Sequence, residues 1–331
     1  MHALETALPK ASRRPVALAT AELLAIAFMG GVALAANKTG LSLLLFPELA
    51  ALSHDVLTRP RGKWASQPIR MVATPVLTGT AGLFVTRHAH YGAVPILVLV
   101  LASLAVIRLL RSSIGPAISA GVLPIALDER HWIYLVAVCI GLVALAAVSW
   151  IWRKWGFGTE ALRADSATEP VDDALEARSH ERFWLLHLLV FVLILAAAGQ
   201  FTGLRFLLFP PLIVMAYEIF GHPEIPGWMR HPLLFPLLCF LTASTGLSAC
   251  RHLHGPLGII ATVTISIILL RIFDVHMPPA LAVGLLPFVM KAPDFWFPIS
   301  VGIGTIILTV WHLSRDRLQR FAQSAVTARG M

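Results

Sequence analysis

Charge is scarce in this chain. Asp, Glu, Lys and Arg make up 13% of its 331 residues, about half the share found in a soluble domain. Too few polar side chains exist to cover a globule in water, and the solvent that suits such a sequence is a bilayer. Cysteine is scarce as well. Cys139, Cys239 and Cys250 lie in apolar stretches and none forms a C-x-x-C pair, so neither a disulfide framework nor a cysteine zinc site is implied. Familiar catalytic motifs are missing: the chain has no G-x-x-x-x-G-K-[ST], no H-E-x-x-H and no G-x-S-x-G. No pair of carboxylates recurs inside the apolar runs, as an intramembrane hydrolase would need. The expectation is a protein that is not an enzyme, with no metal and no cofactor.

Apolar residues are abundant, at 57%, with a mean hydropathy of +0.77. They fall into runs at about 16–36, 41–54, 71–87, 93–110, 112–127 and 131–152, and again at about 183–200, 203–219, 232–250, 255–273, 275–290 and 293–313. The first run follows Arg13 and Arg14 and resembles a signal peptide, but its length suits a retained transmembrane helix. The sequence therefore predicts an all-α integral membrane protein. Basic residues outnumber acidic ones, 26 to 18. They sit in short loops between apolar runs, where a positive-inside bias explains them without a nucleic-acid partner.

The two sets of runs match residue by residue. Thr39-Gly40-Leu41-Ser42-Leu43-Leu44-Leu45-Phe46-Pro47 lies over Thr202-Gly203-Leu204-Arg205-Phe206-Leu207-Leu208-Phe209-Pro210. Arg87-His88-Ala89-His90 lies over Arg251-His252-Leu253-His254, and Pro116 to Pro124 over Pro279 to Pro287. Three rare-residue motifs at nearly one offset predict two parallel repeats of about six hydrophobic segments. The expected organisation is a first membrane repeat at 1–152, a polar cytoplasmic linker at 153–181, a second repeat at 182–313 and a basic cytoplasmic tail at 314–331. If all six runs cross, Lys10, Arg13, Arg14, Arg59, Arg61, Lys63, Arg70, Arg108, Arg111, Arg153 and Lys154 share one side, against Lys38, Arg87 and Arg130 on the other. That asymmetry places both termini in the cytoplasm and fits a bacterial inner membrane.

Two segments per half are unusual. The run 41–54 would span only about 21 Å as a helix, against a hydrocarbon core of about 30 Å, and it holds Pro47. The run 112–127 holds Gly115, Pro116, Gly121 and Pro124; its counterpart holds Pro278, Pro279, Gly284 and Pro287. Short Pro/Gly-interrupted segments at matching places in two halves point to a transporter's binding site, because freed backbone groups survive at membrane depth only when buried or facing water. The alternative is a set of kinked packing helices with small residues for close approach. The candidate solute-binding residues are Thr39, Gly40, Phe46, Pro47, Gly115, Pro116 and Gly121, with Thr202, Gly203, Phe209, Pro210, His276, Pro278, Pro279 and Gly284. Arg87, His88 and His90 with Arg251, His252 and His254 suit either an anion-attracting vestibule or an interfacial loop. A metal site suits four histidines without a carboxylate or cysteine least. Asp55 and Glu218 match each other and read as solvated helix ends or as proton-coupling groups. Glu48 lies deeper, with Pro211 as its counterpart. Arg108 and Arg271 read as snorkelling anchors, Arg271 with Asp274 nearby as a prospective partner.

At His276-Met277-Pro278-Pro279-Ala280-Leu281-Ala282-Val283-Gly284 the chain resembles the HPP transmembrane family, named for a His-Pro-Pro motif. Leu43-Leu44-Leu45-Phe46-Pro47 and the Arg59–Arg70 loop extend the resemblance to about 110 residues of each half. The chain departs from the motif: Met277 stands before Pro278, and the first half reads Ser113-Ile114-Gly115-Pro116, with no histidine. The resemblance implies a polytopic helical fold in tandem duplication. It also implies a small solute, since plastid and cyanobacterial members are implicated in nitrite transport. The expected function is a transporter or channel for a small solute such as an inorganic anion. A membrane scaffold or sensory subunit binding a cytoplasmic partner is the alternative. The expected partners are the lipid bilayer and the solute, with a second copy of the chain left open.

Overall fold

The computed structural model describes residues 10–155, 162, 183–222 and 232–329, with side chains between residues 15 and 315. Among them are twelve α-helices and no strand. The first six are α1 (Lys10–Thr39), α2 (Glu48–Thr58), α3 (Pro68–His88), α4 (Ala93–Leu109), α5 (Pro116–Leu127) and α6 (Ile133–Trp155). Then come α7 (Trp184–Thr202), α8 (Pro210–Gly221), α9 (Leu234–His252), α10 (Pro256–Ile272), α11 (Pro279–Leu285) and α12 (Trp296–Arg329). Short 3-10 turns at Ser42–Leu44 and Arg205–Leu208 precede α2 and α8, and another at Leu286–Phe288 follows α11. Stretches of α1, α3, α6, α7, α9 and α12 are long and apolar enough to cross a membrane. The polar stretch expected as a linker lies almost wholly outside the described residues. Residues 314–329, expected as a separate tail, continue α12.

Proline and glycine place the helix boundaries. Proline occupies the start of α3, α5, α8, α10 and α11, where its missing N–H would have had no helical partner. The run expected as one interrupted segment at 41–54 is instead a 3-10 turn and a separate helix. Pro47 caps that helix, which continues to Thr58. At the ends of α1 and α7, Gly40 and Gly203 adopt φ of 71° and 77°, a left-handed conformation that glycine takes without a Cβ clash. Thr39 Oγ1 donates to Ala35 O at 2.7 Å and accepts from Leu41 N–H at 3.4 Å. Thr202 does the same with Ala198 O at 2.7 Å and Leu204 N–H at 3.3 Å.

The loops gather at two ends of the molecule. At the basic end, Trp64 Nε1 donates to Ser113 O at 3.0 Å, and His276 approaches Asp55 at 3.4 Å. At the far end, Tyr91 donates to Arg205 O at 2.9 Å, Ala93 N–H to the side chain of Gln200 at 3.2 Å, and Lys291 to Asp128 O at 3.3 Å. The chain thus changes ends at every helix, the short ones included.

The four shortest helices sit in the middle. Helix α2 packs on α11 and α5, and α8 packs on the same two. All 11 residues of α2, all 12 of α5 and all seven of α11 are buried. Around them the longer helices turn apolar side chains outward, among them Leu23, Phe84, Val94, Leu186 and Ile306. An exterior of this kind suits hydrocarbon as solvent. Two glycine crossings seat the short helices. Gly82 of α3 lies against the carbonyl of Gly121 in α5, and Gly246 of α9 against that of Gly284 in α11, both too close to admit a Cβ.

This contact yields a test. Gly246→Ala drives a methyl group into backbone, so it should lower stability in detergent by about 1–3 kcal/mol, the usual cost of overpacking. Gly31→Ala, with open space at its Cβ, should not. Equal melting temperatures for the two variants would show that the α9–α11 crossing is not tight.

Candidate functional site

The polar side chains buried among the short helices define the candidate site. In α2, Glu48 occupies the first turn and Asp55 comes seven residues later, two turns along the same face. Glu48 is 2% exposed and accepts a hydrogen bond from the Ser119 hydroxyl of α5 through Oε1. Its Oε2 is buried and has no hydrogen-bond partner. Nearby, the Tyr134 phenol donates to Ala120 O at 2.7 Å.

Toward the basic end, the stretch leading into α11 meets α2. Asp55 Oδ1 accepts from Arg59 Nη1 at 2.9 Å and lies 3.4 Å from His276 Nε2. The His54 and His276 rings stand 5.9 Å apart, centroid to centroid. Asp55 is 1% exposed and His54 5%. Arg59 reaches Asp55 because residues four apart share a helix face. In the second half, Glu218 of α8 is also buried, beside Gly115 at the start of α5. Of the two readings open to these carboxylates, solvated helix ends or proton-coupling groups, their burial removes the first. Each lies under the start of a short helix from the opposite half, which encloses it.

The predicted solute-binding residues divide. Phe46, Pro47, Gly115, Pro116, Gly121, Phe209, Pro210, Pro278, Pro279 and Gly284 lie buried in the short-helix core. His276 stands at the basic end against Asp55. Thr39, Gly40, Thr202 and Gly203 are exposed at the far end, where they terminate α1 and α7.

The proposed vestibule residues are exposed at the far end too. Arg87 Nε donates to Arg130 O at 2.9 Å, and its guanidinium lies 4.5 Å from the Trp132 ring centroid. Arg251 donates to Pro293 O at 3.1 Å and lies 4.3 Å from the Phe295 ring centroid. The two guanidiniums thus clamp the loops before α6 and α12. His88 hydrogen-bonds Phe84 O at 2.8 Å. In the loop after α5, a hydrogen bond from Arg130 holds the Asp128 carboxyl below the usual carboxylate range.

Some partners were not legible from sequence. Arg271 bonds Glu22 of α1, with Nε at 3.0 Å from Oε1, rather than Asp274. Ser119 was hidden in an apolar run as one small residue among several. Among the described residues, no group of three or more His, Cys, Asp or Glu is placed to hold a metal ion. A groove of about 430 Å³ between α3 and α6, lined by Pro68, Val72, Val76, Cys139, Val143 and Ala146, is apolar and open to the outside. It offers a polar solute nothing. No family model, no curated protein and no solved structure matches the chain.

Two tests follow from the charged contacts. Asp55→Asn and His276→Gln should each destabilise the protein, and their effects should be non-additive by about 0.5–3 kcal/mol, as for residues in one polar network. Strict additivity in thermal unfolding would show that Asp55 and His276 act separately. The half-exposed Asp128 pairs with Arg130 at 3.0 Å. Because its carboxyl is depressed, the pair stabilises above the unfolded-state titration and weakens as pH falls through the folded one. Exposed pairs contribute about 0–1 kcal/mol, so Asp128→Asn should leave the melting temperature nearly unchanged at neutral pH.

Proposed function

We propose that the chain is an integral membrane protein built from two tandem copies of an HPP-like unit, and that it is a transporter or channel for a small solute. The observation that carries this reading is the burial of Glu48, Asp55 and Glu218 among the four short helices. Ionisable groups at such depth are costly in a purely structural core and usually mark a solute or ion path. The prolines that begin α5, α8 and α11, and the one that caps α2, are what short segments at a binding site would carry. The residues assigned to the solute are those of the core: Phe46, Pro47, Gly115, Pro116 and Gly121, with Phe209, Pro210, Pro278, Pro279 and Gly284. The HPP resemblance supports an inorganic anion such as nitrite. The excess of basic residues at the end where α1 begins supports both termini in the cytoplasm and fits a bacterial inner membrane.

A second reading is a membrane scaffold or sensory subunit. It is favoured by the close packing at Gly82–Gly121 and Gly246–Gly284, which a static core would also show. Uptake decides between the two. Proteoliposomes holding the full chain are offered nitrite, nitrate, formate, bicarbonate and sulfate, with urea as a neutral control. The expected result is accumulation or leak of one anion, reduced at least about tenfold in Pro279→Leu, a barrier higher by about 1.4 kcal/mol. A wild-type protein that is folded and moves none of these would favour the scaffold.

A further inference from the structure

Glu48 breaks the correspondence between the halves, since Pro211 stands at the matching place and Ala282 matches Ser119. Its surroundings hold no cation to neutralise a carboxylate; the hydrogen bonds it receives are those of the Ser119 hydroxyl and its own backbone amide. Helix α5 contributes the Ser119 hydroxyl and α6 the Tyr134 phenol, which is already engaged with Ala120 O. Helix α1 has no titratable residue between Glu22 and Lys38, and α11 has none at all. Along α2, His54 is six residues away and Asp55 seven, with Arg59 just past the helix end, and Asp55 is bound by Arg59 and His276. The first-turn amides of Leu49 and Ala50 donate to Phe46 O at 2.9 Å and Pro47 O at 3.1 Å, so they do not serve the carboxylate. One buried oxygen, Oε2, is left without a partner. An anion there would be a buried charge without a counter-ion, whereas a neutral acid fits.

We propose that Glu48 is a proton-binding site in the short-helix core, and that the solute it serves is a small weak-acid anion carried together with one proton. The solute clause rests on the transport reading above; the proton site does not. A proton from water at one face adds to the carboxylate, forming one O–H bond, and returns to water at the other face. No electron moves. With Glu48 neutral, an anion can enter beside Ser119 without repulsion. With Glu48 ionised, the anion is repelled and the carboxylate requires hydration, which the packed α2–α5 contact gives only by opening. Arrival of the anion and protonation of Glu48 therefore favour each other.

The test uses the full purified chain in two measurements. In infrared difference spectra recorded across a pH titration, wild type should show the carbonyl band of a buried protonated carboxyl. Glu48→Gln should lose that band, and Ser119→Ala should shift it upward by removing its hydrogen bond. In vesicles loaded with alkaline buffer, initial uptake of formate or nitrite should rise by up to about tenfold for each unit of inward-acid gradient, the ratio of proton activities. In Glu48→Gln, uptake should be nearly insensitive to the gradient, and Glu48→Asp, which keeps an acid, should retain the dependence. A carboxyl band unchanged in folded Glu48→Gln overturns the proton site. A wild type that shows the band but moves no anion overturns the transport reading and the solute clause with it. Uptake by Glu48→Gln that still follows the gradient overturns the coupling.

Discussion

Backbone satisfaction at the starts of four short buried helices is the constraint on which the rest of this structure depends. Each start lies where water is scarce, and each leaves amides that an unbroken helix would have paired. The chain meets this in the same way every time. Leu49, Ala117, Leu212 and Ala280 donate to carbonyls three residues back, at Phe46, Ile114, Phe209 and Met277, at 2.9–3.2 Å. Proline at or beside each start removes a further donor. The carbonyls are met by side chains from longer helices: Thr78 donates to Ala117 O at 2.6 Å and Tyr134 to Ala120 O. The glycine crossings belong to the same solution, since only bare backbone brings α3 and α9 close enough to cover α5 and α11.

Once that core exists, its few ionisable groups acquire meaning from what surrounds them. Asp55 is compensated by a cation and an imidazole from two different halves of the chain, so it ties α2 to the stretch before α11. Glu48 has one hydroxyl and its own backbone amide, and no cation. The contrast is one of charge balance at similar burial, and it separates a structural bridge from a group whose protonation is free to change. The far end follows a different logic. There Arg87 and Arg251 are exposed, lie over aromatic rings and donate to loop carbonyls, so they brace loops. Their roles are local and their contributions to stability are modest.

Much of this was legible as pattern. Runs of apolar residues predicted the membrane-suited helices, because periodic burial against hydrocarbon needs no partner to be recognised. Thr39-Gly40 and Thr202-Gly203, alike in sequence, both end helices in the same geometry. Pro116 and Pro279 marked the short helices, since proline acts through its own ring on its own turn. The solvated reading of Asp55 and Glu218 failed for the opposite reason. Position near the end of an apolar run suggests water, but burial depends on what another segment lays over that end. Arg271 likewise had Asp274 in sequence and Glu22 in space.

The sequence alone determined the apolar character of the long helices, the helical class and the places where helices must begin and stop, because composition and the proline and glycine conformations act locally. Only the tertiary structure decided which short helices meet and which carboxylates they enclose. It also decided that Glu48 faces Ser119, with no cation among the groups around it. Those outcomes depend on contacts between segments far apart in the chain, and the free energy of a buried charge is set by its neighbours rather than by its place in sequence.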